Sequence, residues 1–283
     1  GGVLLALNFA LLVAAQNGLV PFGAGVAVRI SLLSAGVWWG AFALVAFARL
    51  RTRPPGRILP RGQALLTSGF GEVIGTFREL RRLPNTLRYL VGYLFFNDGI
   101  QTVIGLSSVF LAQELFSPAD RQNGTAAAFS LQIYLLVQFV AFGGALLFER
   151  IARLVGTKRA IMISLAIWAG IVIYAYGFLQ TTGQALGMAV VLALVLGGSQ
   201  ALSRALFSRM IPRGREASFF GIYEVSERGT SWIGPLIFGI VVSATGSYRQ
   251  AILSLIVLFV VGLIILSFTN TDKAIRDAGN SEK

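Results

Sequence analysis

Leu90-Val-Gly-Tyr-Leu-Phe-Phe-Asn97-Asp98-Gly-Ile-Gln101-Thr102-Val-Ile-Gly-Leu-Ser-Ser-Val-Phe-Leu111 decides the fold class. Apart from Asp98 it carries no charge, and it matches the roughly 20 apolar residues that a helix needs to cross a bilayer. It is a membrane helix with a carboxylate inside it. Burying such a charge in hydrocarbon costs about 2.5–3.5 kcal/mol on insertion scales, so intramembrane carboxylates usually face a cavity or a partner. A second run, Ser218–Ala244, holds Glu224, Glu227 and Arg228 in the same way. The acids point to a conduit rather than an anchor.

The rest of the chain agrees. Its 283 residues are 55% hydrophobic and 13% charged, with a mean hydropathy of +0.73. Soluble domains carry about 25% charged residues. Cysteine and histidine are both absent, which removes disulfides, thiolate or imidazole metal sites and His-based catalysis. No Gly-x-x-x-x-Gly-Lys loop is present to bind nucleotide, so neither an enzyme nor a cofactor is expected. The net charge of +12 sits in arginine clusters between apolar spans, a mark of membrane topology rather than of nucleic-acid binding. The chain opens on Gly1 and is apolar to Ala15, with no basic start or cleavage site. We expect it to begin partway through a longer protein.

Length and hydropathy predict about eight spans: Gly2–Gln16, Val26–Ala48, Leu87–Leu111, Thr125–Phe148, Arg159–Leu179, Gln184–Phe207, Ser218–Ala244 and Gln250–Phe268. Arg51, Arg53, Arg57, Arg61, Arg78, Arg81 and Arg82 crowd one connection, and Arg150, Arg153, Lys158 and Arg159 another. Arg209, Arg213 and Arg215 fill a third, whereas Asn17–Gly25 and Gln180–Gly183 carry no charge. This alternation puts both chain ends in the cytoplasm, in the plasma membrane if the source is bacterial. The expected organisation is two helices over 1–49, a basic cytoplasmic linker over 50–85, six helices over 86–269 and a cytoplasmic tail over 270–283. Within the linker Leu66, Phe70, Val73, Ile74, Phe77 and Leu80 recur at helical spacing, which predicts an amphipathic surface helix.

Helix rise places Asp98 about 18 Å deep, with Gln101 and Thr102 on its face. Asn97, Asp98 and Gln101 are candidates for a substrate or proton pathway; the alternative is a carboxylate that only hydrogen-bonds a neighbouring helix. Glu224 and Arg228 are spaced to pair, and Glu227 shares their side. They suit a gate or coupling element, or a self-neutralised cluster near the interface. Gln200 and Arg204 close the sixth span. Arg204 either snorkels to headgroups or supplies the cation for an acid or an anionic substrate. Gly36 and Gly40 are expected to allow close helix packing.

Gly144-Ala-Leu-Leu-Phe-Glu149-Arg150, followed by Gly156-Thr-Lys158-Arg159, joins two spans. Its order of glycine, acid, base, glycine and two bases resembles the conformational loop signature of the major facilitator superfamily, with an insertion and Glu in place of Asp. Tyr93-Leu-Phe-Phe-Asn-Asp98, Gly197-Gly-Ser-Gln-Ala-Leu-Ser-Arg204 and Phe219-Phe-Gly-Ile-Tyr-Glu224 running to Trp232-Ile-Gly-Pro235 are more specific. Together they resemble the branch holding the vacuolar amino-acid effluxers of autophagy and their bacterial homologues, over essentially the whole chain. The resemblance implies an all-α integral membrane protein of the major facilitator fold, with the last two helices of one half and all six of the other. It also implies secondary active transport by alternating access, with small solutes such as amino acids as substrates and the bilayer as partner. Proton coupling rests on Asp98, Glu224 and Glu227. A non-transporting scaffold or receptor, and a lipid translocase, are the competing readings.

Overall fold

The computed structural model describes residues 2–50, 65–228 and 231–280, and every regular element among them is an α-helix. The chain divides into two compact units, 1–64 and 65–283.

The first unit is a helical pair, α1 (Gly2–Gln16) and α2 (Ala24–Arg49). Ser34 donates to Asn8 Oδ1 at 3.1 Å, and Asn8 donates to the Ser31 carbonyl at 3.4 Å. These are the polar contacts by which the two helices meet. Leu33, Trp39 and Phe47 stand exposed on α2, as expected of side chains that meet lipid. Gly36 and Gly40, read from the sequence as packing positions, have no neighbour within 4 Å of an added Cβ among the described residues.

The second unit begins with α3 (Leu65–Leu80) and continues with α4 (Pro84–Leu115), α5 (Pro118–Gln122), α6 (Thr125–Val155), α7 (Thr157–Gly177) and α8 (Thr182–Arg209). α9 (Glu216–Arg228), α10 (Ile233–Thr245), α11 (Tyr248–Ser254), α12 (Ile256–Ser267) and α13 (Thr271–Asp277) complete it. Pro84 occupies the first turn of α4, where its missing N–H has no intrahelical partner to lose. Thr181 and Gln184 form a capping box that starts α8. Gly156, at φ 89°, ends α6 and passes directly into α7.

Six of the described spans are long and apolar enough to cross a membrane: α2, α4, α6, α7, α8 and the α11–α12 pair. The other two expected spans fall short of that length. α1 has 15 residues, short of a full crossing. The seventh is divided into α9 and α10, of 13 residues each. Two features of the sequence account for this. The charges of α9 lower its hydropathy, and Pro235 has no N–H to continue a helix from the residues before it, so it falls in the first turn of a new one.

α6 and α8 make the tightest crossing of the fold. A Cβ on Gly144 would lie 2.5 Å from the Leu194 Cα, and one on Gly197 would lie 2.9 Å from the Ala141 carbonyl carbon. Only hydrogen fits at either place, so the backbones come within van der Waals contact. On α4, Tyr89 donates to the Ser203 carbonyl at 2.8 Å and Thr86 to the Met210 carbonyl at 2.9 Å, which fixes α4 against the end of α8. Gly92, Phe96 and Gly262 interlock α4 with α12. At the opposite end Arg249 bonds Glu114 at 2.7 Å and the carbonyls of Tyr176 and Leu179 at 3.0 and 2.5 Å. One side chain thus ties together the ends of α4, α7 and α11.

Candidate functional site

Three helices converge on a polar cluster. α8 supplies Gln200 and Arg204, α9 supplies Tyr223, Glu224, Glu227 and Arg228, and α4 supplies Tyr93 and Asn97. Helical spacing dictates these sets, since residues three or four apart share a face. Arg204 forms an ion pair with Glu224 and lies 3.9 Å from Glu227. Arg228 approaches the other oxygen of Glu224 at 3.4 Å, so the predicted pairing along α9 is present and is shared with α8. The Arg204 guanidinium also lies 5.9 Å from the Phe220 ring centre and 5.7 Å from that of Tyr223, within cation–π range.

Behind the ion pairs runs a chain of hydrogen bonds into the bundle. Gln200 donates to Asn97 Oδ1 at 3.1 Å, and Asn97 donates to the Glu227 carbonyl at 3.4 Å. Tyr93 donates its hydroxyl to Glu227 Oε2 at 3.2 Å. Tyr93 and Tyr223 stack with ring centres 4.3 Å apart, and Tyr223 stacks on Phe207 at 5.0 Å. The front of the cluster opens into a cavity of about 410 Å³ lined by Gln200, Arg204, Tyr223, both glutamates and Arg228. That is large enough for a small polar solute. Its lining carries two positive and two negative groups, which balance each other.

Asp98 lies elsewhere. Its side chain is buried (1% exposed) and faces α10, where one oxygen accepts the Gly234 N–H at 2.5 Å. The N-terminus of a helix carries unpaired N–H groups and a positive dipole end, both of which favour a carboxylate. Gly234 allows the approach, because a Cβ there would stand 2.8 Å from Thr102 Cβ and 3.0 Å from Asp98 Oδ2. The second oxygen of Asp98 and the hydroxyl of Thr102 are buried with no hydrogen-bond partner among the described residues. Thr102 sits on the predicted face of Asp98, whereas Gln101 is half-buried and joins neither group. The structure therefore unites Asn97, Gln200, Arg204, Glu224, Glu227 and Arg228, and sets Asp98 apart in its own pocket of burial.

The loop residues separate by task. Gly144 is the α6–α8 contact, and Glu149 pairs with Arg153 at 2.5 Å along its own helix. Arg150 and Arg159 are exposed. Lys158 donates to the carbonyls of Ser267 and Thr269 at 2.9 and 2.8 Å, closing the end of α12. Sequence reading passed over Tyr93 and Tyr223. The signal available was the position of Tyr93 one helical turn before Asn97, on the same face.

These features define an all-α, multi-pass membrane protein whose polar groups are gathered between helices. Residues 1–279 match the family described as vacuole effluxer Atg22 like, and the chain belongs to that family. It is similar to the MFS-type transporter YxiO of Bacillus subtilis, at 27% identity over 94% of this chain and 60% of that protein. It is also similar to autophagy-related protein 22 of Yarrowia lipolytica, at 29% identity over 84% of this chain and 44% of that protein. Autophagy-related protein 22-2 of Penicillium rubens is 28% identical over 94% of this chain and 47% of its own length. The chain thus spans about half the length of the curated relatives it matches. No solved structure matches it.

Proposed function

We propose that this chain works within a secondary active transporter that exports small solutes, amino acids among them, by alternating access. The observation that carries the reading is the charge-balanced cavity between α8 and α9, wired through Asn97 and Tyr93 to α4. A zwitterionic solute has a use for both signs. Its carboxylate competes with Glu224 for Arg204, and its ammonium takes the place of that cation beside Glu227. Exchange of an internal ion pair for a substrate ion pair loosens α9 from α8, which is the motion that alternating access needs.

Asp98 supplies the proton site in this reading. An ionised Asp98 leaves one oxygen buried without a donor. A proton on that oxygen removes the charge that is buried there without a donor, while the other oxygen keeps the Gly234 N–H. Protonation also removes the attraction between a carboxylate and the positive end of α10. The proton and the substrate then act on the two halves of one divided span, α10 and α9. Glu224 and Glu227 remain the second group through which protons and substrate compete.

The family's description supports efflux, and the name of the Bacillus subtilis relative supports the transporter reading. No chemical step is assigned to the chain. For the organisation we propose what the sequence suggests: two helices over 1–49, a cytoplasmic linker over 50–85, a six-span half over 86–269 and a cytoplasmic tail, with the arginine-rich connections inside. The test is flux by the full-length protein in liposomes, with a pooled amino-acid mixture and an imposed pH gradient. Gradient-driven flux that is lost in Asp98→Asn supports coupling through Asp98. Flux that ignores the gradient and survives Asp98→Asn, Glu224→Gln and Glu227→Gln refutes proton coupling. Transport of labelled lipid but of no solute moves the assignment to a translocase.

A further inference from the structure

α3 turns two unlike faces in opposite directions. Its polar face is held by Arg215, which bonds Glu72 at 2.8 Å, Thr76 at 3.3 Å and Glu79 at 3.2 Å. Ser218, in the first turn of α9, adds a bond to Glu72 at 3.1 Å. Thr76 and Leu80 are buried on this side of the helix. At about 100° of turn per residue, Ile74 points roughly 160° away from Glu72 and Thr76. There Ile74 and Phe77 stand 60% and 44% exposed, and Val73, on the side of the helix between the two faces, 57%. Of the apolar stripe read from the sequence, Leu80 has turned inward, and the side chains of Leu66 and Phe70 lie outside the described residues.

The charges sort the same way. Both acids of α3 are engaged by Arg215, while Arg78, Arg81 and Arg82 are exposed, with the Arg81 guanidinium 5.0 Å from the Phe77 ring centre. The outer face is therefore apolar in its middle and positive at its flank. α4, the first span of this unit, starts at Pro84, two residues beyond Arg82, so α3 ends at the membrane surface. A helix with apolar residues opposite its anchored side and arginines beside them matches an interfacial helix, which buries its apolar face at the acyl boundary and sets its cations among lipid phosphates.

We infer that α3 is docked on an anionic leaflet, with Val73, Ile74 and Phe77 at the acyl boundary and Arg78, Arg81 and Arg82 on lipid phosphates. Arg215 ties this docked helix to the start of α9, whose far end carries Tyr223, Glu224 and Glu227. Lipid charge thereby bears on the position of the site helix. The inference rests on the membrane placement of the chain and is independent of what the cavity carries.

The 283 residues have no cysteine, so Ile74→Cys takes a single nitroxide in full-length protein once any cysteine outside them is changed to serine. The label is read in nanodiscs of phosphatidylglycerol mixed with phosphatidylcholine, and in phosphatidylcholine alone, by its collisions with oxygen and with a water-soluble nickel chelate. Oxygen is expected to dominate in the anionic nanodiscs. The oxygen-to-chelate ratio is expected to fall several-fold in phosphatidylcholine, and likewise when Arg78, Arg81 and Arg82 are all glutamine. Access to the chelate in anionic nanodiscs overturns the inference. So does shielding from both reagents, which marks a protein cover, or a ratio indifferent to lipid charge and to the arginines.

Discussion

Replacing Arg204 by glutamine separates stability from transport, because the geometry assigns the two effects very different sizes. The Arg204 and Glu224 side chains are 56% and 40% exposed. Ion pairs this open to solvent contribute about 0–1 kcal/mol. The cation–π contacts with Phe220 and Tyr223 add about 0.5–1 kcal/mol at such exposure. Thermal unfolding in detergent should therefore register a loss of no more than about 2 kcal/mol, and the variant should purify as a folded monodisperse species. Transport should respond differently. A hydrogen bond to a charged group contributes about 1.5–3 kcal/mol, so losing the guanidinium that receives a substrate carboxylate should lower flux roughly 10- to 150-fold. Arg204→Lys keeps the charge without the planar fork and should fall between the two. The assay is initial-rate uptake into liposomes, normalised to protein that passes the unfolding test. Wild-type flux in Arg204→Gln refutes the substrate role. A stability loss well above 2 kcal/mol shows that the residue holds the fold together instead.

Other substitutions test the remaining contacts. Asp98→Leu removes the acceptor from a buried Gly234 N–H and should destabilise by about 1–3 kcal/mol in detergent unfolding, whereas Asp98→Asn, which retains an acceptor oxygen, should stay near wild type. Gly144→Ala forces a methyl group against the Leu194 backbone and should cost at least about 1–3 kcal/mol, read as lower melting temperature and yield. Gly36→Ala, by contrast, has no neighbour within 4 Å of the added Cβ among the described residues and should leave yield unchanged. Arg249→Ala frees two carbonyls and the Glu114 carboxylate at one site and should cost about 2–3 kcal/mol, with proteolysis appearing first near 176–182.

Much of this molecule is legible from hydropathy alone because lipid leaves the chain few choices. Backbone polar groups have no water to bond within the bilayer, so each long apolar run must be a helix. The bounds of α1 agree with the predicted Gly2–Gln16, and α8 runs two residues beyond the predicted Gln184–Phe207 at each end. The pairing of Glu224 with Arg228 was also readable, since i,i+4 neighbours are fixed by helix geometry. The candidate site was legible as residues but not as a site.

What the sequence determined by itself is the all-helical class, the order of the spans, the alternation of charge between their ends and the residues whose charges cannot be idle. These follow from local rules, applied one helix at a time. Tertiary structure alone decided which charges meet. Arg204 and Glu224 are 20 residues apart, Asn97 and Gln200 103, and Asp98 and Gly234 136, and no periodicity connects such distances. It also decided that Gly144, rather than Gly36, brings two backbones together, and that Asp98 caps α10 instead of lining the cavity. The physical reason is that helix formation is settled by neighbours along the chain, whereas the rotation of each helix about its axis is settled by the partners packed against it.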